Sequence, residues 1–173
     1  RSLGNGSAMR CSAAGWLAKT EEECIELATA TARPTHNHPE AIKGAVATAL
    51  CIWHLNHGKG KDFIREEILR EYYPQWAEQT YDDIKPDYTF NSSCSGTVPP
   101  AILCFLQSSD YVDCLRLAIS LGGDADTLAA ISGPMAYAYY QEMPEHLVYY
   151  VLKKLPEWMQ KVNDEFDDCC NNR

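Results

Sequence analysis

The sequence predicts an all-α, single-domain protein, and three observations support that prediction. Apolar residues recur at helical spacing in most segments of the 173-residue chain. Prolines and glycines stand where those segments begin and end, as expected at helix boundaries. No segment shows the alternation of apolar and polar residues that is typical of a half-buried strand. We therefore expect one domain, residues 1–173, of about eight helices.

The helices predicted in the first half of the chain follow from their boundary residues. The segment Thr20–Glu23 has the pattern of a capping box, in which a threonine hydroxyl and a glutamate carboxylate bind free N–H groups. Pro39 suits a first helical turn, and the apolar stripe that follows it ends at Gly58. A third helix is predicted from about Asp62 to Tyr72, because Pro74 cannot continue it.

The middle of the chain is predicted to begin with a loop. Asn, Ser and Gly are crowded between Pro86 and Thr97, as in irregular segments. Pro99 is then expected to start a short apolar helix, and Ser109 to cap the next one. The pair Gly122–Gly123 is a natural end for that helix.

Three further helices are predicted in the last third of the chain. Asp124 or Asp126 opens the first of them, which runs to about Tyr140. Pro144 and Pro156 each begin an amphipathic helix, because proline is suited to a first turn.

Charge and hydropathy exclude several classes of protein. The net charge is −9 and no basic stripe is present, so the bulk surface is not expected to bind nucleic acid. A local positive pocket can still take a small anion. No apolar run reaches the roughly eighteen residues that a membrane helix needs. Without a signal-peptide pattern at the start, we expect a cytoplasmic protein with no membrane partner.

The eight cysteines are interpreted as reduced residues of the core. None forms the C-x-x-C spacing of common zinc sites, and most stand among apolar neighbours. Free cysteine is often fully buried. The pair Cys169–Cys170 is expected in a frayed tail.

The sharpest chemical motif is the segment Gly122–Thr127. At a junction between loop and helix, the carboxylates of Asp124 and Asp126 can converge with the hydroxyl of Thr127. Such oxygen ligands suit Mg²⁺, Mn²⁺ or Ca²⁺ better than zinc. The alternative is structural: glycine ends one helix, and an aspartate caps the next by accepting its free N–H groups.

Two further segments carry candidate ligand-binding groups. The glycine-rich segment Gly4–Arg10 could present N–H groups to an anion such as a pyrophosphate, with Arg10 adding donors. A simple turn with Ser7 as N-cap explains it equally well. His36 and His38 could bind a metal, or could precede Pro39 as the polar cap of a helix. A single histidine contacting a ribose or a phosphate is a third interpretation.

Taken together, four motifs resemble the ADP-ribosylglycohydrolase family, which includes bacterial dinitrogenase-reductase-activating glycohydrolases. The resemblance implies an orthogonal assembly of helices around a cleft that holds two Mg²⁺ or Mn²⁺ ions. It also implies a hydrolase that removes ADP-ribose from a modified protein or a small acceptor. The motifs are GNGSAMR (Gly4–Arg10), THNHPEAIKGA (Thr35–Ala45), SCSGTVPPAI (Ser93–Ile102) and SLGGDADTLAAISG (Ser120–Gly133).

The resemblance also assigns roles to individual residues of this chain. The metal ligands would be Asp124, Asp126 and Thr127. His36 would line the same pocket as the glycine-rich segment. The residues of that segment that would wrap the ADP-ribose are Gly4, Asn5, Gly6, Ser7 and Met9.

Two features of the family pattern are absent from these 173 residues. The family carries an earlier Thr-Asp-Asp-Thr segment that completes the metal pair, and an acidic residue proposed for catalysis. Both are expected upstream of Arg1, so the chain is interpreted as the later two-thirds of the family domain, with one metal half-site. We expect an oligomer, or a second chain covering the missing part. The alternatives are a pseudoenzyme that binds ADP-ribose, and a structural protein resembling a lens crystallin.

Overall fold

The computed structural model describes residues 2–171, and helices account for 73% of the chain. The all-α prediction is confirmed, because the described residues contain no strand, only an isolated antiparallel bridge between Gly4 and Ser93. The helices are α1 (Ser12–Leu17), α2 (Glu21–Ala32), α3 (Pro39–Asn56), α4 (Lys61–Phe63), a π-helical segment (Ile64–Leu69), α5 (Arg70–Tyr72), α6 (Tyr81–Ile84), α7 (Cys94–Gln107), α8 (Tyr111–Leu121), α9 (Ala125–Tyr140), α10 (Glu145–Lys154) and α11 (Glu157–Asn171).

The chain divides into two compact units, of which the first ends at Gln141. In this unit α3 is the central helix, with contacts to α1, α2, α7 and α9. Most of α3 is buried, which agrees with a sequence that is apolar around nearly its whole circumference. As predicted, Pro39 lies in its first turn and Gly58 follows its end, with a φ of +79° that suits glycine.

Two glycines allow helices to approach α3 closely. A Cβ atom at Gly15 of α1 would lie 2.6 Å from the carbonyl oxygen of Ala49, and a Cβ atom at Gly44 would lie 2.6 Å from Cys94 Sγ. Both distances are too short for real side chains, so these positions require glycine for packing. The contact at Gly44 places the start of α7 directly beside α3.

The loop predicted up to Thr97 is wrong in its last four residues, because α7 begins at Cys94. The Ser93 hydroxyl accepts a hydrogen bond from the N–H of Gly96 and so caps the helix. Pro100 lies inside α7 and cannot donate to the Gly96 carbonyl, which instead accepts the Tyr88 hydroxyl at 3.0 Å. A side chain from outside the helix therefore replaces a missing backbone donor.

The predicted N-cap of α8 is wrong by a single residue. The N-cap of α8 is Asp110, whose carboxylate accepts the N–H of Asp113, whereas the Ser109 hydroxyl donates to the Asp113 carboxylate. The helix ends at Gly122, as predicted, where φ is +85°. Serine and aspartate are almost equally good caps, so sequence pattern alone does not separate two neighbouring candidates.

The second unit, which begins at Glu142, consists of α10 and α11. These helices start after Pro144 and Pro156, as predicted. Cys169 and Cys170 lie within α11, so the expectation of a frayed tail at these positions is wrong. The other six cysteines are buried without disulfide partners. No helix in residues 2–171 is long and apolar enough to cross a lipid bilayer.

Candidate functional site

The first and third motifs are joined by backbone pairing. The N–H of Asn5 donates to the Ser92 carbonyl at 2.8 Å, and the N–H of Cys94 donates to the Leu3 carbonyl at 3.1 Å. These bonds flank the bridge between Gly4 and Ser93. They hold the glycine-rich segment, which forms a single 3-10 turn over Asn5–Ser7, against the N-terminus of α7.

Asn5 connects this turn to the acidic motif. Its side chain is only 7% exposed, and Nδ2 donates to Asp124 Oδ2 at 2.6 Å and to Thr97 Oγ1 at 3.1 Å. The Thr97 hydroxyl donates in turn to the Asn91 carbonyl at 2.9 Å. A buried amide bonded to a carboxylate makes a strong, directional link. It joins motifs that are 119 residues apart in the sequence.

The acidic motif lies where α9 begins. Asp124 is at the N-cap position, but its side chain makes no capping bond. Its orientation is fixed by Asn5 instead, so the interpretation of Asp124 as a simple cap does not describe what its carboxylate does. Gly122 and Gly123 precede it with φ values of +85° and +67°. This left-handed backbone, which favours glycine, reverses the chain between α8 and α9.

The neighbouring ligand candidates are placed differently. Asp126 is exposed, and its Oδ1 accepts the N–H of Thr127 at 2.8 Å. Thr127 is 5% exposed, and its hydroxyl lies 3.8 Å from the sulfur of Met9, a contact at the long end for a hydrogen bond to sulfur. The first turn of α9 is therefore in contact with the glycine-rich segment at a second point. Met9 itself is 44% exposed and available to a ligand.

The donor set agrees in kind, but not in number, with a hard divalent cation. Asp124, Asp126 and Thr127 offer carboxylate and hydroxyl oxygens, which Mg²⁺ and Mn²⁺ prefer. Within residues 2–171, no three His, Cys, Asp or Glu side chains converge on one cation position. An octahedral ion needs six ligands, so these residues could supply part of a coordination shell, with water or other groups completing it.

Ser7 is placed in the core. Its side chain is fully buried, and the hydroxyl donates to the Ala41 carbonyl of α3 at 2.8 Å. Cys94 Sγ lies 3.4 Å from the same hydroxyl and 3.3 Å from the Gly4 carbonyl. The Ser7 hydroxyl therefore connects the first motif to the second and third, and only the main chain of Ser7 remains for the predicted ligand-binding role.

The two histidines of the second motif have different environments. His38 Nδ1 accepts the N–H of Glu40 and caps α3, as the structural alternative predicted. His36 lies against the glycine-rich turn, with Nε2 about 3.0 Å from where a Cβ of Gly6 would be. Partial burial and the nearby Arg10 guanidinium lower the pKa of His36 below its usual value of 6.5.

Asn91 and Tyr88 were not singled out from the sequence as site residues, whereas Thr97 lies within the third motif. Thr97 and Asn91 anchor Asn5, and Tyr88 bonds the Gly96 carbonyl while lying close to Gly123. Burial raises the pKa of Tyr88 to about 12, so its hydroxyl stays protonated. A cavity of about 340 Å³ borders this loop; its lining includes Trp76, Asp87, Tyr88, Asn91 and Gly96. Hydroxyl and amide side chains in a loop carry no periodic signal, so no pattern in the sequence pointed to Asn91 and Tyr88.

Comparisons with known proteins show which family the chain belongs to. A family model for ADP-ribosylglycohydrolases matches residues 1–172. The chain belongs to the ADP-ribosylglycohydrolase family. One solved relative of the family, an "ADP-ribosylglycohydrolase-related protein complex", superposes with a TM-score of 0.77 and 25% sequence identity. That match covers 98% of this chain and 59% of the solved one, which supports the all-α family fold.

Two curated members of the family are similar in sequence. The ADP-ribosyl-[dinitrogen reductase] glycohydrolase of Rhodospirillum rubrum is 31% identical over 140 residues, which are 79% of this chain and 46% of the relative. The ADP-ribosylhydrolase ARH3 of Homo sapiens is 25% identical over 191 residues, covering 83% of this chain and 52% of the relative. The chain thus spans about half the length of these relatives. At family level, the names of both relatives point to hydrolysis of ADP-ribosyl bonds.

Proposed function

We propose that this chain supplies the ADP-ribose-binding turn and one metal half-site of a hydrolase that removes ADP-ribose from a modified protein or small acceptor. The observation that carries the proposal is the 2.6 Å hydrogen bond from Asn5 Nδ2 to Asp124 Oδ2. It joins a glycine-rich turn suited to phosphates with a carboxylate suited to a divalent cation. A pyrophosphate and a metal ion bound side by side are what the family resemblance implies for the ADP-ribose site.

Each residue has a distinct part in this proposal. Asn5 occupies one oxygen of Asp124, which leaves Oδ1 to face a cation together with Asp126 and the Thr127 hydroxyl. The bound metal would orient the ribose hydroxyls and activate a water molecule for attack on the glycosidic bond. Met9, exposed beside Thr127, would cover an apolar part of the ligand.

The glycine-rich turn would hold the phosphates. Gly4 and Gly6 face the His36 ring closely and have no side chains that would fill this space. Backbone N–H groups can approach an anion closely at such a turn. The acid or base that transfers protons to the leaving group is proposed to be an acidic residue outside these 173 residues, as the family resemblance implies.

Release of ADP-ribose from an ADP-ribosylated protein, measured with Mg²⁺ or Mn²⁺ on a protein that joins this chain to the upstream family segment, tests the proposal. In that protein we expect Asp124→Ala and Asp126→Ala to abolish release, and Asp82→Ala, which removes an exposed aspartate of α6, to leave it unchanged. If the extended protein releases nothing but ADP-ribose raises its unfolding temperature, it binds without hydrolysis. Unchanged release in the Asp124 variant would contradict the metal half-site.

A further inference from the structure

Three polar side chains beside the glycine-rich turn form a hydrogen-bonded series. Arg10 Nη2 donates to Thr35 Oγ1 at 2.5 Å and to the Thr31 carbonyl at 3.1 Å. Thr35 Oγ1 lies 2.8 Å from His36 Nδ1. The opposite edge of the His36 ring, with Nε2 and Cε1, faces Gly6. The series therefore connects a permanent cation, Arg10, through the Thr35 hydroxyl to the His36 ring, which lies at the candidate ligand site.

The chemistry of the groups determines which atom donates in each hydrogen bond of this series. An arginine guanidinium has only donors, so it uses a lone pair of the Thr35 oxygen. That bond polarises the hydroxyl and leaves its single proton free to be donated. Nδ1 of a neutral histidine can accept it, and the ring proton then resides on Nε2. The nearby positive charge of Arg10 also disfavours a second proton on the ring.

We propose that Arg10 and Thr35 are positioning residues that hold His36 as a neutral ring with its proton on Nε2, aimed at the Gly4–Gly6 turn. His36 then presents a fixed hydrogen-bond donor to an anionic or hydroxyl oxygen of the ligand. The identity of that ligand as ADP-ribose rests on the proposed function, whereas the orientation of the ring does not.

The hydrogen bonds of Arg10 connect separate parts of the chain. Arg10 follows the glycine-rich turn, and Thr31 and Thr35 lie at the end of α2 and just after it. The guanidinium therefore ties the turn to the segment that carries His36. Thr31 contributes its carbonyl, not its hydroxyl, which donates within its own helix to Ala28. Thr31→Val is accordingly a matched control for Thr35→Val, since each removes one exposed threonine hydroxyl.

Nuclear magnetic resonance on the ligand-free chain tests the ring position directly. We expect a protonated Nε2 and an unprotonated Nδ1 on His36, with a nuclear Overhauser contact between its Hε1 and the Hα of Gly6. Thr35→Val should weaken that contact, Thr35→Ser should restore it, and Thr31→Val should leave it intact. A proton on Nδ1 in the wild type, or a Thr35→Val variant with the same contact, would overturn the inference.

Binding of ADP-ribose, measured by calorimetry, tests what the ring position does. Thr35→Val should weaken binding about tenfold, the loss expected for one hydrogen bond to a charged group, and Thr35→Ser should bind within a few-fold of wild type. If the wild type binds and Thr35→Val binds equally well, the positioning role is wrong and the proposed function stands. If the wild type does not bind ADP-ribose, the proposed function fails, and the resonance experiment still decides the position of the ring.

Discussion

Replacing Asn5 with aspartate is the sharpest perturbation of the link between the two motifs. The two side chains have the same shape, but the amide that donates to Asp124 Oδ2 at 2.6 Å becomes a carboxylate. The bond to Thr97 Oγ1 at 3.1 Å also loses its donor. Asn5→Asp therefore places two like charges in contact at a position that is only 7% exposed.

The magnitude follows from the same contacts. Asn5→Ala removes one hydrogen bond to a charged group and one neutral bond, which together stabilise the fold by about 2–4 kcal/mol. Two negative charges at the 2.6 Å separation of the present bond repel by about 6 kcal/mol at an effective dielectric constant of about 20. Movement of the side chains will relieve part of that repulsion. We expect Asn5→Asp to lower the free energy of unfolding at least as much as Asn5→Ala at pH 8.

The pH dependence of the free energy of unfolding distinguishes Asn5→Asp from Asn5→Ala. One proton shared between the carboxylates of folded Asn5→Asp relieves the repulsion, so the folded state binds more protons than the unfolded state. Stability of this variant must then increase as the pH falls from 8 to 5. Urea unfolding followed by circular dichroism at both pH values measures it, with Asn37→Asp, at an exposed asparagine, as the control. Equal stability of wild type and Asn5→Asp at pH 8 would refute the reasoning.

Three other predictions concern packing, titration and thiol reactivity. Gly44→Ala should lower the free energy of unfolding by about 1–3 kcal/mol in urea titrations, because its Cβ would overlap Cys94 Sγ at 2.6 Å; wild-type stability would show that α3 and α7 separate easily. Arg10→Gln should raise the pKa of His36 in a resonance titration, since burial, the larger cause of the lowered pKa, remains but the guanidinium charge is removed; an unchanged pKa would show that this charge does not act on the ring. A thiol reagent should label exposed Cys169 quickly and the six buried cysteines only on unfolding; rapid labelling of more than two thiols would contradict the packing of the core.

Helix positions were predictable from the sequence wherever a boundary residue is unambiguous. Pro39, Gly58 and Gly122 have backbone requirements that few other residues meet, and each lies where predicted. The start of α7 was not predictable in this way, because Ser, Asn and Gly indicate a loop and a helix cap equally well. Its internal prolines also argued for a later start, and Tyr88, in the loop before the helix, supplies the missing donor.

The candidate site also combines features that were predictable from the sequence with features that were not. The two carboxylates and the glycine-rich turn are recognisable as motifs, and resemblance to the family supplied their proposed roles. Their connection through Asn5 is a tertiary contact that no local pattern encodes. Likewise, the sequence could not tell that His38 caps a helix while His36 faces the turn, because both rings precede the same proline.

We propose that the glycine-rich turn and the acidic motif form one cation and ADP-ribose site. Paramagnetic broadening of amide resonances by Mn²⁺, in the presence of ADP-ribose, tests this proposal. We expect Mn²⁺ to broaden the signals of Asn5, Asp126 and Thr127 first, and Asp124→Asn to abolish this effect. Broadening that begins instead at the exposed pair Asp82–Asp83 of α6, or that is unchanged in Asp124→Asn, would contradict it.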